Sequence, residues 1–112
     1  MREIHHFING ASHQGRSGRF GDVFNPSTGA VQARVQLATP EELDLAVQAA
    51  ARAQIGWAAT NPQRRARVMF EFKRLLEARM TELAELLSSE HGKVVADSKG
   101  DIQRGLEVIE FA

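Results

Sequence analysis

The chain has 112 residues, enough for one domain or part of one, and its 14 basic and 14 acidic side chains give a formal net charge of zero. Because binders of nucleic acid and of anionic membranes normally carry a basic excess, we expect neither kind of partner. The absence of cysteine excludes disulfides, cysteine-ligated zinc and a cysteine nucleophile within these residues.

The sequence shows neither a membrane-spanning run nor a signal peptide. No apolar run approaches the roughly 20 residues that a membrane span requires, and residues 1–10 hold no apolar stretch of signal-peptide length. We therefore expect a cytoplasmic protein. The initial Met1 suggests that the natural start is present.

A short hairpin is predicted at the start of the chain. Residues 3–8 form a strand, and Asn9-Gly10, the strongest two-residue hairpin signal, returns the chain into a partner strand over residues 11–14. The glycine-rich residues 15–22 lack the spacing and the strand–loop–helix setting of a phosphate-binding fingerprint. They are predicted as an exposed loop, and residues 23–24 add a brief strand.

The clearest strand follows the turn cluster NPSTG at 25–29. Apolar and polar side chains alternate over residues 30–37, so this strand should bury one face. The residues predicted on the buried face are Val31, Ala33, Val35 and Leu37, with Gln32, Arg34 and Gln36 on the other face.

A capping box predicts the start of the first helix. Thr39-Pro40-Glu41-Glu42 combines a cap residue, a proline at the first helical position and a glutamate that can reach back to the cap. We expect this helix to end at Gly56, with Trp57 as an anchor beside the turn. Its apolar stripe consists of Leu43, Ala46, Val47, Ala50 and Ala53.

Asn61-Pro62 repeats the start signal, and a long apolar stripe then extends to about Ser89. Thr81 could begin a fresh turn, so a break near residues 79–81 is compatible with the pattern. His91-Gly92 predicts the end of this helical stretch, with Gly92 in the left-handed conformation.

The last stretch predicts another helix, with an apolar face formed by Val95, Ile102, Leu106 and Ile109. No glycine, proline or basic last turn closes this helix before Ala112, so we expect a chain that is cut short. Asp101, Arg104 and Glu107 are spaced i, i+3. By spacing alone they predict ordinary exposed ion pairs.

Two further patterns could suggest binding sites. The basic run formed by Arg64, Arg65, Arg67, Lys73 and Arg74 is diluted by Glu71 and Glu77, which favours a solvated or interface-lining helix face over a nucleic-acid site. His5 and His6 are adjacent, so on a strand they point to opposite faces. With His13 and His91 they form no converging cluster by spacing, and no metal site is predicted.

Five segments resemble the N-terminal region of the aldehyde dehydrogenase superfamily. They are FING at 7–10, NPSTG at 25–29, Trp57, RRARVMFEFKRLLE at 64–77, and EHGK with ADSKGDIQRGLEVIEFA at 90–112. The last of these is most similar to the coenzyme-A-acylating methylmalonate-semialdehyde dehydrogenases.

This resemblance implies an α/β fold in which residues 1–112 form the N-terminal, incomplete part of a Rossmann-like NAD-binding domain, with short β-hairpins followed by about three amphipathic helices. The whole enzyme would oxidise malonate or methylmalonate semialdehyde with NAD. It would pass the acyl group to coenzyme A and form a homo-oligomer, a tetramer or dimer.

The resemblance also implies where the functional residues lie. The catalytic cysteine, the oxyanion-hole asparagine, the general-base glutamate and the NAD-contacting loops would all follow Ala112, so no catalytic or cofactor-binding residue is assigned within the chain. Arg104, in the segment QRGLE, is implied to meet the substrate carboxylate.

Two alternatives remain open at this stage. The chain could be a non-catalytic, stand-alone helical interaction domain. It could also belong to a general aldehyde dehydrogenase that makes free acids rather than coenzyme A thioesters.

Overall fold

The computed structural model describes all of residues 1–112 as five strands and four helices. The strands are β1 (Arg2–Ile4), β2 (His6–Ile8), β3 (Ala11–His13), β4 (Phe20–Phe24) and β5 (Val31–Gln36). The helices are α1 (Pro40–Ala59), α2 (Pro62–Ala78), α3 (Met80–His91) and α4 (Val95–Phe111). The chain divides into two compact units, Met1–Ala59 and Thr60–Ala112.

The first unit contains two small sheets. Strand β5 pairs in parallel with β1 and antiparallel with β4, while β2 and β3 form a separate hairpin. Asn9 and Gly10 have φ values of 53° and 77°, the left-handed pair that a tight hairpin turn needs. The hairpin prediction is confirmed. The strand predicted over 3–8 is wrong in one respect: it is interrupted at His5, because the residues on either side pair in different sheets.

The glycine-rich loop is shorter than predicted. Residues 20–22, expected in the loop, belong to β4, because cross-strand pairing with β5 extends from Phe20 opposite Gln36 to Phe24 opposite Val31. Pairing with a neighbouring strand overrides the weak strand preference of Gly21.

Strand β5 buries only part of the face that its alternation predicts. A register shift lies opposite Gln32, between the pairs Phe24–Val31 and Val23–Ala33. Ala33 is fully buried, as expected, but Gln36 is 6% exposed and Leu37 is 41% exposed. Gln36 tolerates burial because its side-chain oxygen accepts a hydrogen bond from the Gly15 amide.

The start of α1 confirms the capping box and adds a contact that the sequence pattern did not reveal. The Thr39 amide donates to Glu42 Oε2 at 2.8 Å, and the Glu42 amide donates to Thr39 Oγ1 at 3.2 Å. The Arg16 amide donates to the second carboxylate oxygen, Oε1, at 2.7 Å. One buried carboxylate therefore caps the helix and fixes the glycine-rich loop.

The end of α1 and the role of Trp57 differ from the prediction. The helix continues through Gly56 to Ala59, because a glycine weakens a helix by about 1 kcal/mol without terminating it. Trp57 lies inside the helix and is 43% exposed, so it is not an anchor beside a turn. Leu43 and Val47 of the apolar stripe are 62% and 54% exposed, which leaves this face of α1 uncovered.

The boundaries of the helices in the second unit follow the predicted signals. Asn61 caps α2 by accepting a hydrogen bond from the Gln63 amide at 2.8 Å. The helical stretch breaks at Arg79, where φ is −113° and ψ is 19°, so the structure has four helices. Gly92 ends α3 with φ at 86°, as predicted.

The core of the second unit is small. Ala84 on α3 and Ser98 and Leu106 on α4 are its fully or almost fully buried residues. The hydroxyl groups of Ser88 and Ser98 lie 2.8 Å apart, so α3 and α4 approach closely. Much of the α2 stripe remains exposed, and no helix is both long and apolar enough to cross a membrane.

We predict that the Glu42 carboxylate titrates below the ordinary glutamate range. The hydrogen bond from the Thr39 amide holds the pKa of Glu42 below its usual range, assisted by the Arg16 amide and the nearby His6, while burial opposes them. A depressed folded-state pKa stabilises the fold above the ordinary pKa, and this stabilisation is lost as pH falls through the folded value. In an NMR titration, the amide shifts of Thr39 and Arg16 should share one midpoint below the ordinary glutamate range.

Glu42→Gln should abolish this shared titration and weaken the first unit at neutral pH. Glu41→Gln, which changes an exposed carboxylate in the same first turn, should leave it intact. Separate midpoints for the two amides, or a midpoint at or above the ordinary glutamate value, would show that Glu42 does not link the loop to the helix.

Candidate functional site

Arg104, the one predicted substrate-binding residue, lies on the surface of α4. Its side chain is 73% exposed, and its Nη1 donates to Asp101 Oδ1 at 2.6 Å. Gly105 follows it, and a Cβ atom built there would meet nothing within 4 Å. The guanidinium of Arg104 is therefore bonded at one nitrogen, and most of its side chain is exposed.

Asp101 is held by a second cation. Lys93 Nζ donates to Asp101 Oδ2, and the two side chains are 28% and 34% exposed. The hydrogen bond from Lys93 holds the pKa of Asp101 below its usual range, with contributions from Arg104 and His91 and against the effect of burial. Asp101 is therefore ionised at neutral pH, between Lys93 on one oxygen and Arg104 on the other. We refer to these three residues as the Lys93–Asp101–Arg104 cluster.

The structure shows which of the two acidic residues spaced three positions from Arg104 is its ion-pair partner. Asp101 and Glu107 each lie three residues from Arg104, but only Asp101 forms an ion pair with it. Lys93 was missed because it lies eight residues from Asp101 in the connection between α3 and α4. The signal that could have found it is the left-handed Gly92, which turns the chain back across the start of α4.

The basic run on α2 is partly neutralised. Lys73 Nζ lies 2.7 Å from Glu77 and 3.0 Å from Glu110, and Arg74 pairs with Glu71 at 2.6 Å. These pairs leave little unbalanced charge in the second half of the run. They support a solvated helix face.

The glycine-rich loop does not fit a dinucleotide phosphate. The amides of Gly15 and Arg16 already donate to the side chains of Gln36 and Glu42, so a carboxylate occupies the position that an anion would need. A Cβ atom at Gly15 would lie 2.9 Å from His6 Nε2, which shows how closely the loop packs on the hairpin. No NAD contact is assigned to these residues.

The histidines do not assemble a metal centre with other ligands. His6 and His13 are cross-strand partners in the hairpin. Their separation of seven residues in the sequence did not reveal this proximity. No group of three or more histidine, cysteine, aspartate or glutamate side chains could hold a metal ion. The chain also contains no cysteine for nucleophilic chemistry.

Three known proteins contain a similar segment within longer chains. A malonate-semialdehyde dehydrogenase from Pseudomonas aeruginosa is 43% identical over 112 residues, which is 100% of this chain and 22% of that protein. A structure from Sinorhizobium meliloti 1021, complexed with NAD and provisionally assigned as a methylmalonate-semialdehyde dehydrogenase, is 58% identical. Its TM-score is 0.96, over 99% of this chain and 23% of the other.

The third is the methylmalonate-semialdehyde dehydrogenase of Oceanimonas doudoroffii, 41% identical with a TM-score of 0.94 over 99% of this chain and 22% of that one. The chain thus spans less than a quarter of the length of these relatives.

The expected α/β class is confirmed, and the strands and helices match the N-terminal segment of these structures. The profile of the aldehyde dehydrogenase family matches residues 13–112. The chain therefore belongs to the aldehyde dehydrogenase family.

Proposed function

We propose that residues 1–112 are the N-terminal segment of the NAD-binding domain of a longer dehydrogenase. That protein oxidises malonate or methylmalonate semialdehyde with NAD and forms acetyl- or propionyl-coenzyme A with loss of carbon dioxide. The similarity to a malonate-semialdehyde dehydrogenase over 100% of this chain carries the proposal. We further propose that it is a cytoplasmic homo-oligomer, a dimer or tetramer.

The uncovered apolar faces support a longer protein. Leu43 and Val47 on α1, and Val68 and Phe72 on α2, are between 47% and 62% exposed. Faces of this kind are normally buried against another element. The relatives carry more than three further lengths of chain, which could supply that cover.

The chemistry also requires residues outside this segment. A thioester intermediate needs a thiolate nucleophile, and this chain has no cysteine. NAD, when bound, accepts the hydride of the substrate aldehyde, and coenzyme A supplies the thiol that receives the acyl group. What this chain contributes is recognition of the substrate.

Arg104 is suited to that recognition because its guanidinium is planar and permanently charged. The substrate has an aldehyde at one end and a carboxylate at the other, and an arginine can bind a carboxylate through two parallel hydrogen bonds. Asp101 occupies only Nη1, so the remaining N–H groups are available to a ligand. The 73% exposure of the Arg104 side chain leaves a carboxylate room to approach.

The longer protein should reduce NAD with malonate or methylmalonate semialdehyde and yield acetyl- or propionyl-coenzyme A only when coenzyme A is present. NADH absorbance and mass analysis of the products measure both steps. The 112-residue chain alone should stay at background, since it lacks the nucleophile.

Free acid formed without any need for coenzyme A would favour a general aldehyde dehydrogenase. Turnover by the 112-residue chain alone would contradict the placement of the nucleophile outside it.

Arg104 can be tested in a chimera in which this chain replaces the matching 22% of the Pseudomonas aeruginosa protein. Arg104→Ala should lower kcat/KM for malonate semialdehyde roughly 10- to 100-fold, the usual effect of losing a charge-assisted contact. Arg104→Lys should also lose activity because lysine cannot form the two-bond fork. Neither variant should change kcat/KM for propanal, which has no carboxylate.

Arg74→Ala is a matched control. Arg74 is 62% exposed and pairs with an acidic residue three positions earlier at 2.6 Å, much as Arg104 does. Arg74→Ala should leave kcat/KM unchanged for both malonate semialdehyde and propanal. Equal losses on malonate semialdehyde and propanal for Arg104→Ala would contradict the proposed role of Arg104. A folded chimera without activity would contradict the proposed function of the segment.

A further inference from the structure

Asp101 is the junction of the Lys93–Asp101–Arg104 cluster. Its two oxygens are bonded to different cations: Oδ2 to Lys93 Nζ and Oδ1 to Arg104 Nη1. Lys93 precedes α4, whereas Asp101 and Arg104 are three residues apart on it. The carboxylate is thus oriented from outside its own helix, and it in turn orients the arginine.

A hydrogen bond to Asp101 reduces the conformational entropy that an exposed arginine loses when it binds a ligand. A free guanidinium samples many rotamers, and the loss of this freedom opposes ligand binding. Arg104 is 73% exposed, so neighbouring side chains restrict it little. The bond to Asp101 removes part of its freedom before a ligand arrives and leaves its other N–H groups unoccupied.

An aspartate beside a carboxylate-binding arginine also has an unfavourable effect, since its negative charge repels the ligand. Lys93 offsets this repulsion, because it places a positive charge on the Asp101 oxygen that Arg104 does not use. With one anion and two cations, the cluster keeps one net positive charge. The low pKa of Asp101 agrees with this charge assignment.

We propose that Asp101 is a positioning residue that pre-orients Arg104 for the substrate carboxylate, and that Lys93 compensates the charge of Asp101. This inference rests on the proposed function. It assigns Asp101 and Lys93 to substrate selectivity rather than to chemistry, so their effects are confined to KM for carboxylated substrates.

The same chimera tests the role of Asp101. Asp101→Ala should raise KM for malonate semialdehyde about tenfold, with kcat little changed, because the freedom of one long side chain must now be lost on binding. KM for propanal should stay the same. Asp101→Glu should restore most of the affinity, since glutamate can also pair at this spacing. Asp101→Asn keeps the size and one acceptor oxygen, and should give a smaller increase in KM.

Glu107→Ala separates positioning from simple electrostatics. It also removes a negative charge three residues from Arg104, but Glu107 forms no ion pair with that arginine. Electrostatics alone predicts that both alanine variants lower KM for the carboxylated substrate. Positioning predicts different outcomes, with KM raised for Asp101→Ala and unchanged or slightly lowered for Glu107→Ala.

Lys93→Met tests charge compensation. Methionine keeps the unbranched shape of the lysine side chain but removes its charge. The charge of Asp101 is then uncompensated, so KM for malonate semialdehyde should rise several-fold. Lys93→Arg should retain the wild-type value. Lys99→Met, which removes an exposed positive charge from α4 outside the cluster, is the matched control and should have little effect.

The outcomes distinguish this inference from the proposed function. If Arg104→Ala lowers kcat/KM for the carboxylated substrate alone while the Asp101 and Lys93 variants leave KM unchanged, the positioning role is wrong and the proposed function stands. Equal effects of Asp101→Ala on both substrates would make Asp101 a structural residue. If Arg104→Ala itself shows no selectivity, the proposed substrate recognition fails.

Discussion

The close approach of α3 to α4 determines where the candidate site lies. Ala84 and Ser98 are small and fully buried, and the hydroxyl of Ser98 lies 2.8 Å from that of Ser88, so the two helices can approach closely. The left-handed Gly92 makes the tight turn between them. Because of that turn, Lys93 reaches the side of α4 and meets Asp101. The helix packing, the turn and the ion-pair cluster are therefore parts of one arrangement.

Much of the fold could be predicted from local signals, because turns, caps and helix ends are stabilised by interactions between residues close together in the sequence. The Asn9-Gly10 turn, the Thr39 and Asn61 caps and the Gly92 helix end all depend on residues within one turn of each other. The strand boundaries could not be predicted in the same way. The start of β4 depends on a partner 16 positions away, and the burial of Gln36 on one 21 positions away, which periodicity within one segment does not reveal.

The candidate site was predictable only in part. Resemblance singled out Arg104, and spacing offered Asp101 and Glu107 as equivalent partners. The structure distinguishes them because Asp101 is also bonded to Lys93, which comes from outside the helix. Prediction of the end of α1 failed in a different way, since Gly56 is a weak helix residue but not a stop signal. Its exposed stripe is understandable if further chain covers it.

The mass of the native polypeptide that contains residues 1–112 tests this account most directly. An antibody raised against the segment, combined with intact-mass measurement of the captured protein, would provide it. Since the segment spans 22–23% of its relatives, we expect a polypeptide more than four times the 12.4 kDa of this chain, with a cysteine-bearing catalytic domain. A native protein of 12.4 kDa would contradict the account and favour a stand-alone, non-catalytic interaction domain.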